Sequence, residues 1–171
     1  METWDAIRSR RNVRAFAERP IAGEDLDRIL EAARRTPSSS NRQAWDFVVC
    51  TDPGQLGRLA TVWEYARHVA GSAATVCLVA PDPAGGYERD SVQYDLGQAT
   101  MSIMLAAADL GIGSGHAKVS DYGRAAEILG LPTGRVCWWL VALGYPADRP
   151  LAPIGRPNRR PFDDVVHRGR W

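Results

Sequence analysis

The sequence lacks the features that mark a metal centre, a membrane span or a hydrolytic active site. Its three histidines are scattered without the spacing of metal ligands, and no G-x-S-x-G, P-loop or H-E-x-x-H motif occurs. No uninterrupted apolar run is long enough to span a bilayer, and the first residues contain no apolar signal core. We therefore expect a soluble, cytoplasmic protein with no bound metal and no membrane association.

The sequence also has few cysteines and a net charge close to zero. Cys50, Cys77 and Cys137 lie in apolar, strand-like runs, without C-x-x-C spacing and without a neighbouring histidine. This pattern favours buried, reduced thiols, which suit the cytoplasm. The formal net charge of +1 gives no global indication of a nucleic-acid partner. Any electrostatic role must therefore be local.

What is present is an ordinary globular composition with clear element signals. At 171 residues and 45% hydrophobic residues, we expect a single domain over residues 1–171. Apolar periodicity predicts helices over 3–10, 23–35, 55–65, 88–110 and 122–129, and strands within 45–50, 74–80 and 136–146. The helix over 88–110 is apolar on nearly all faces, which favours the middle of the core. A surface loop is expected over 81–86, and "GIGSG" is expected to end the long helix.

Arginines cluster near both ends of the chain. The stretch "RSRRNVR" joins a helix to an extended segment, and guanidinium forks match phosphate oxygens bidentately. A solvated basic face is the alternative interpretation. Tail arginines could reach the same phosphate or remain solvated. The residues concerned are Arg8, Arg10, Arg11, Arg14, Arg156, Arg159 and Arg160.

Two further stretches allow either a binding role or a plain turn. The loop "TPSSSN" could hydrogen-bond a polar ligand, or its side chains could bond their own backbone. In "GIGSGH" the glycines follow a helix with G-x-G-x-G spacing, which excludes a dinucleotide-binding fingerprint. The glycines could let backbone approach something flat or bulky, or they could form a tight turn.

Taken together, four segments resemble the FMN-dependent nitroreductase family. They are "RSRRNVRAF", "AARRTPSSSNRQAWDFVV", "DLGQATMSIMLAAADLGIGSGH", and "ALGYP" followed by "RRPFDDVVH". The likeness runs from about Trp4 to His167. It implies an α+β fold with a central, mostly antiparallel sheet surrounded by helices and a long buried central helix. It also implies an obligate homodimer with FMN at the subunit interface.

The same resemblance implies the residues that contact FMN. They are Arg10, Arg11 and Asn12 at the phosphate and ribityl chain, Arg14 near the pyrimidine edge of the ring, Pro37, Ser38, Ser39 and Asn41 from the other subunit, Gly113 and Ser114 along the ring, and Arg159 at the phosphate. A fixed cation at Arg14 would stabilise the negative charge that reduction places on the ring. No protein acid or base is implied, because the flavin N5 carries the hydride.

The chain also departs from the family pattern. Ala44 replaces the usual proline of Q-P-W, Ser102 stands where an asparagine is common, and His116 where an aromatic is common. The substrate lid is reduced to "VWEYARHVAG", in which Trp63 and Tyr65 are either lid aromatics or core residues. A short, lid-reduced member is therefore expected.

The activity that the resemblance implies is reduction of bound FMN by NAD(P)H, followed by transfer to a nitroaromatic, quinone or related small-molecule acceptor in a ping-pong mechanism. Two alternatives stay open. One is a flavin-cleaving, benzimidazole-synthase-like enzyme, for which FMN is the substrate. The other is a flavin-binding or sequestering protein without turnover.

Overall fold

A four-stranded antiparallel sheet forms the centre of the structure. The computed structural model describes residues 1–82 and 85–171; part of the expected loop over 81–86, Pro83 and Ala84, lies outside the described residues. The strands are β1 (Asp46–Cys50), β2 (Ala74–Pro81), β3 (Gly113–Lys118) and β4 (Arg135–Gly144). Their order is β1-β2-β4-β3, and every neighbouring pair is antiparallel. β3 is therefore an edge strand.

Helices cover both faces of this sheet. They are α1 (Thr3–Ser9), α2 (Gly23–Arg34), α3 (Pro53–Leu59), α4 (Gly86–Asp109) and α5 (Tyr122–Leu129), with single 3₁₀ turns at Ser39–Asn41, Arg67–Gly71 and Phe162–Asp164. Alternate residues of β2 enter two separate cores: Val76 and Leu78 face α2 and α4, whereas Cys77 and Val79 face α3 and α5. A strand buried on both faces reads as a continuous apolar run. The expected α+β class with a central antiparallel sheet is confirmed.

The long central helix is also confirmed, but its burial is one-sided within a single chain. Leu96, Ala99 and Ile103 are buried against the sheet and α2. On the opposite side Tyr94 is 70% exposed and Met101 is 43% exposed. The expectation of burial on all faces is therefore not met, because within one chain the sheet and α2 pack against one side only. In the described part of the chain, none of the helices combines the length and apolar character needed to cross a bilayer.

The helix expected over 55–65 is shorter and begins earlier. It starts at Pro53, where the Asp52 carboxylate accepts a hydrogen bond from the Gln55 N–H at 2.7 Å. It ends at Leu59, after which the N–H groups of Thr61 and Val62 bond oxygens three residues back, and the backbone oxygen of Val62 is held by another part of the chain. That oxygen accepts hydrogen bonds from the N–H groups of Ser120 and Asp121, both at 3.1 Å. Tertiary contacts thus replace the last helical turns.

β3 is the element that the sequence did not predict. Gly111, with φ +71°, follows α4 as expected, but the next glycines belong to a strand, where glycine is disfavoured. The Val13 N–H donates to the Ser114 oxygen at 2.8 Å, which brings the N-terminal segment onto β3. A Cβ on Gly113 would lie 2.7 Å from Val13 Cγ2. The glycines therefore make room for another segment of the chain.

Gly115→Ala tests this close packing. A Cβ there would overlap the Val13 carbonyl oxygen and lie 3.1 Å from the His68 ring, so we expect a loss of roughly 1–3 kcal/mol in the free energy of unfolding. Urea denaturation measures it. Gly57→Ala is the control, because its Cβ meets nothing within 4 Å in helix α3, and it should be neutral or stabilising by up to about 1 kcal/mol. Equal stability of the two variants would contradict the packing argument.

Candidate functional site

An extended segment that follows α1 presents three polar side chains to one side. Val13 is 1% exposed and packs inward, while Asn12 and Arg14 are exposed. Because side chains alternate along an extended chain, Arg10, Asn12 and Arg14 share the outward face and span about 13 Å. The charges of both Arg10 and Arg14 help to lower the pKa of His116, after the larger effect of burial. Both guanidiniums therefore lie close to the same part of β3.

A large cavity lies beside the last residues of β3. Its volume is about 950 Å³, which is within the range of small-molecule sites. Two walls come from the Arg14 region and from the turns between α3 and β2, and a third comes from β3 itself. Residues that line it include Arg14, Trp63, Tyr65, Arg67, His68, His116, Lys118 and Trp139. Aromatic and cationic side chains thus face the same space.

A second cavity collects arginines from both ends of the chain. It has a volume of about 400 Å³ and is lined by Arg8, Arg10 and Arg159, beside the apolar Trp4 and Ile154. The tail is held there because the Ile154 N–H donates to the Arg8 oxygen at 3.0 Å. Three guanidiniums around one cavity can bind a phosphate. Neither Arg156 nor Arg160 lines this cavity.

Asn12 lies in the sequence between Arg10, which lines one cavity, and Arg14, which lines the other. It pairs directly with Ser114 of β3. They form an isolated parallel bridge, and Ser114 is 2% exposed. Of the residues implied for FMN, Arg10 and Arg159 thus line one cavity and Arg14 lines the other. Asn12 pairs with the buried Ser114, which follows the buried Gly113. Their arrangement suits an elongated ligand with a phosphate at one end and a flat ring at the other.

Arg11 points away from this group. Its Nη2 donates to Asp148 Oδ1 at 2.6 Å and to the backbone oxygen of Arg149 at 2.9 Å. This contact lowers the pKa of the Asp148 carboxyl. The phosphate role of Arg11 stays a prediction, and within one chain its guanidinium is already engaged.

The loop at 37–41 is not brought to the arginine segment within one chain. The Ser39 N–H donates to both oxygens of the buried Asp95, at 3.1 and 3.0 Å, and the Ser38 hydroxyl accepts from the Gln43 N–H at 3.0 Å. The small cavity beside Ser39, about 180 Å³, shares no lining residue with the two arginine cavities. Pro37 and Asn41 are exposed. The bond between Ser38 and Gln43 is local, as the plainer interpretation expects, whereas the bonds from Ser39 anchor the loop to Asp95 of α4.

Comparison with known proteins agrees with this arrangement. Residues 7–73 and 55–145 match the model of the nitroreductase family. An Archaeoglobus fulgidus protein, named as an NADH dehydrogenase/NAD(P)H nitroreductase, is 31% identical over 174 residues, which cover 99% of each chain. This chain belongs to the nitroreductase family. It is an oxidoreductase, as expected from the resemblance.

Two solved structures share the nitroreductase fold of this chain. An NADH oxidase of Clostridium acetobutylicum has a TM-score of 0.86 at 22% identity, over 98% of this chain and 100% of that one. An FMN-dependent nitroreductase of Clostridium difficile has a TM-score of 0.83 at 22% identity, over 97% and 98%. At these identities the likeness shows the fold alone, and it confirms the expected fold class.

The chain contains two histidines at the cavity for which the sequence indicated no role. His68 is 9% exposed, and its Nε2 lies 3.3 Å from the Gly115 oxygen, so that nitrogen donates. Its Nδ1 has no hydrogen-bond partner in the part of the chain that the structure describes. Burial, aided by the charge of Arg14, lowers the pKa of His68. No sequence pattern could show this contact, since 46 intervening residues separate His68 from Gly115.

The lowered pKa of His68 makes the stability of this nitroreductase depend on pH. The folded pKa lies below the ordinary value of 6.5, so the unfolded chain binds more protons between the two values. The contribution is fully present above about pH 6.5 and is lost as the pH falls toward the folded pKa.

We therefore expect His68→Gln to flatten the fall in unfolding free energy between neutral and mildly acidic pH. Urea unfolding at a series of pH values measures the slope. His167→Gln in the exposed tail is the control and should keep the slope of the unmodified protein. A His68→Gln variant with an unchanged slope would refute the assignment.

Proposed function

We propose that residues 1–171 form one FMN-binding domain that uses NAD(P)H to reduce nitroaromatics, quinones or related acceptors by a ping-pong mechanism. The observation that carries the proposal is the convergence of Arg10, Arg14 and Arg159 with Ser114 along one extended surface. The name of the Archaeoglobus relative includes NAD(P)H, and one structure of the same fold is FMN-dependent. These names support the proposal.

The residues present fit FMN. Arg10 and Arg159 line one cavity and would hold the phosphate, Asn12 would border the ribityl chain, and Gly113 and Ser114, which Asn12 adjoins, would lie along the ring. Arg14 opens onto the larger cavity, whose 950 Å³ leaves room for a ring and a substrate. When bound, FMN supplies the hydride chemistry, so the chain needs no acid–base pair of its own. Arg14 provides a fixed positive charge where negative charge would develop.

The exposed surface supports a homodimer that completes this site. One side of α4 exposes Tyr87, Tyr94 and Met101, and α1 exposes Trp4 and Ile7. Exposed apolar patches of this kind commonly mark protein interfaces. The C-terminal tail also exposes an apolar side chain, since Trp171 is 99% exposed. We propose that a second copy covers these surfaces and brings its loop 37–41 to the arginine segment.

FMN titration of the purified protein tests the function. We expect FMN to bind, and anaerobic NADPH or NADH to remove its visible absorption. Arg14→Met should weaken FMN binding roughly ten- to a hundredfold, because a hydrogen bond to a charged group contributes about 1.5–3 kcal/mol. Arg28→Met is the control, since Arg28 pairs with Asp109 elsewhere on the surface.

The alternatives give different results in that experiment. A protein that binds FMN but oxidises no NAD(P)H with any acceptor would be a sequestering protein. Release of dimethylbenzimidazole after aerobic turnover, detected by mass spectrometry, would indicate flavin cleavage. A protein that binds no FMN would refute all three functions.

A heterodimer tests whether two subunits share each site. One protomer carries Arg14→Met, and its partner carries Ser38→Ala with Asn41→Ala; the two are co-expressed with different tags. If each site combines the arginine of one subunit with the loop of the other, the heterodimer regains one intact FMN site, whereas each homodimer is weakened at both. In the control, the partner of the Arg14→Met protomer carries Ser40→Ala, which alters the same loop, in place of Ser38→Ala with Asn41→Ala. A heterodimer without any tight site would show that the arginine and the loop of one chain act together.

A further inference from the structure

We infer that the electron acceptor of this chain is an aromatic anion, meaning a conjugated ring that carries a carboxylate or a similar negative group. The inference rests on the proposed function and names the substrate class of the same site. It comes from the cavity of about 950 Å³ along β3. Several charges around this cavity have no role in the proposed FMN contacts.

Three permanent cations line this cavity without a partner. Among residues 1–82 and 85–171, neither Arg14, Arg67 nor Lys118 forms an ion pair or a side-chain hydrogen bond. Six arginines elsewhere in the described residues do form ion pairs, such as Arg11 with Asp148. The lining contains one acid in the described structure, Glu64. The cavity therefore has an excess of positive charge, which attracts anions.

Arg67 and Lys118 are the cations left for a substrate. Arg14 belongs to the extended segment proposed to contact FMN, whereas Lys118 ends β3 and Arg67 begins a 3₁₀ turn. Lys118 is the single lysine of the chain. A negative group placed between these two side chains would be paired without displacing any existing ion pair.

An aromatic platform lies beside Lys118. Trp63 and Tyr65 pack edge to face with ring centroids 4.9 Å apart, and Lys118 Nζ lies 5.9 Å from the centre of the Trp63 ring. A flat ring can stack on such a surface, and a negative group on it would then lie next to the ammonium. The combination selects a ring and a charge together.

The two histidines of the cavity do not supply this charge at neutral pH. Burial lowers the pKa of His68. The pKa of His116 is lowered by partial desolvation and by the charges of Arg10 and Arg14, although His116 remains exposed at the cavity. The positive charge of the cavity therefore comes from arginine and lysine, and it persists across physiological pH.

The chemistry of the acceptor leaves its charged group unchanged. Reduction of an aryl nitro group to a nitroso group takes two electrons and two protons and releases one water. NAD(P)H supplies the electron pair and one proton as a hydride and becomes NAD(P)⁺, and solvent supplies the second proton. The carboxylate takes no part in the bond changes. Its conversion to an ester makes the nitro group intrinsically easier to reduce, so a preference for the acid must come from recognition.

The test compares 4-nitrobenzoate with its neutral methyl ester on the FMN-loaded protein. The unmodified protein should show the higher kcat/KM with the acid. Lys118→Met should lower kcat/KM for the acid about fivefold, the effect of losing one charge pair of about 1 kcal/mol, and leave the ester unchanged. Lys118→Arg should retain the preference, and Arg67→Met should reduce it. Arg58→Met, an exposed cation outside the cavity, is the matched control.

Calorimetry with benzoate and benzamide gives a readout that needs no turnover. Benzoate should bind the oxidised, FMN-loaded protein more tightly than benzamide, and Lys118→Met should remove the difference. Turnover of the ester at least as good as that of the acid, with no benzoate preference, would overturn the inference while the proposed function stands. A Lys118→Met effect confined to kcat/KM for NADPH would also overturn it, because the cation would then serve the dinucleotide. Absence of FMN binding would overturn the proposed function and the inference with it.

Discussion

The structure depends on the close approach of the N-terminal segment to the edge of the sheet. The Val13 N–H donates to the Ser114 oxygen at 2.8 Å, and this contact exists only because Gly113 and Gly115 carry no side chain. A third glycine, Gly144 on β4, leaves space for the Phe16 side chain in the same manner. Since Val13 is fixed inward, the alternation of an extended chain sends its neighbours Asn12 and Arg14 outward. A steric constraint between backbones thus determines the direction of the polar groups.

The same edge of the sheet explains why the cavity lies where it does. β1 and β3 are the two edge strands of the sheet, and the cavity lies beside the last residues of β3, beyond the point where Asn12 pairs with Ser114. The chain after α3 is drawn toward this strand, because the Val62 oxygen accepts hydrogen bonds from Ser120 and Asp121, just beyond β3. That anchor positions Trp63 and the residues that follow. Segments distant in sequence therefore form the cavity, although each is held by ordinary backbone hydrogen bonds.

This division explains how much could be predicted from the sequence. Helix α5 and the strands in apolar runs follow local periodicity, and their positions were predicted closely. β3 was not predicted, because its glycines allow a contact with Val13. The end of α3 was not predicted, because the N–H groups that bond the Val62 oxygen just after it lie nearly 60 residues away. The family motifs pointed to Arg10, Asn12, Arg14 and Arg159. The fold brings Arg10 and Arg159 to one cavity and Arg14 to another, and their contact with FMN stays a prediction. The surroundings of Lys118 depend on tertiary packing and left no sequence signal.

The backbone conformation of the loop after α2 also supports the proposal of a site shared between two subunits. Ser40, Asn41 and Gln43 all have φ near +50°, a left-handed conformation that costs non-glycine residues about 1–2 kcal/mol each. The bonds from Ser39 to Asp95 and from Gln43 to Ser38 hold this geometry. A connector between α2 and β1 has no need of such strain, yet the loop keeps Pro37 and Asn41 exposed on its outer side. A conformation maintained at this cost, on the surface and away from the arginines of its own chain, supports a role toward a ligand held by the partner subunit.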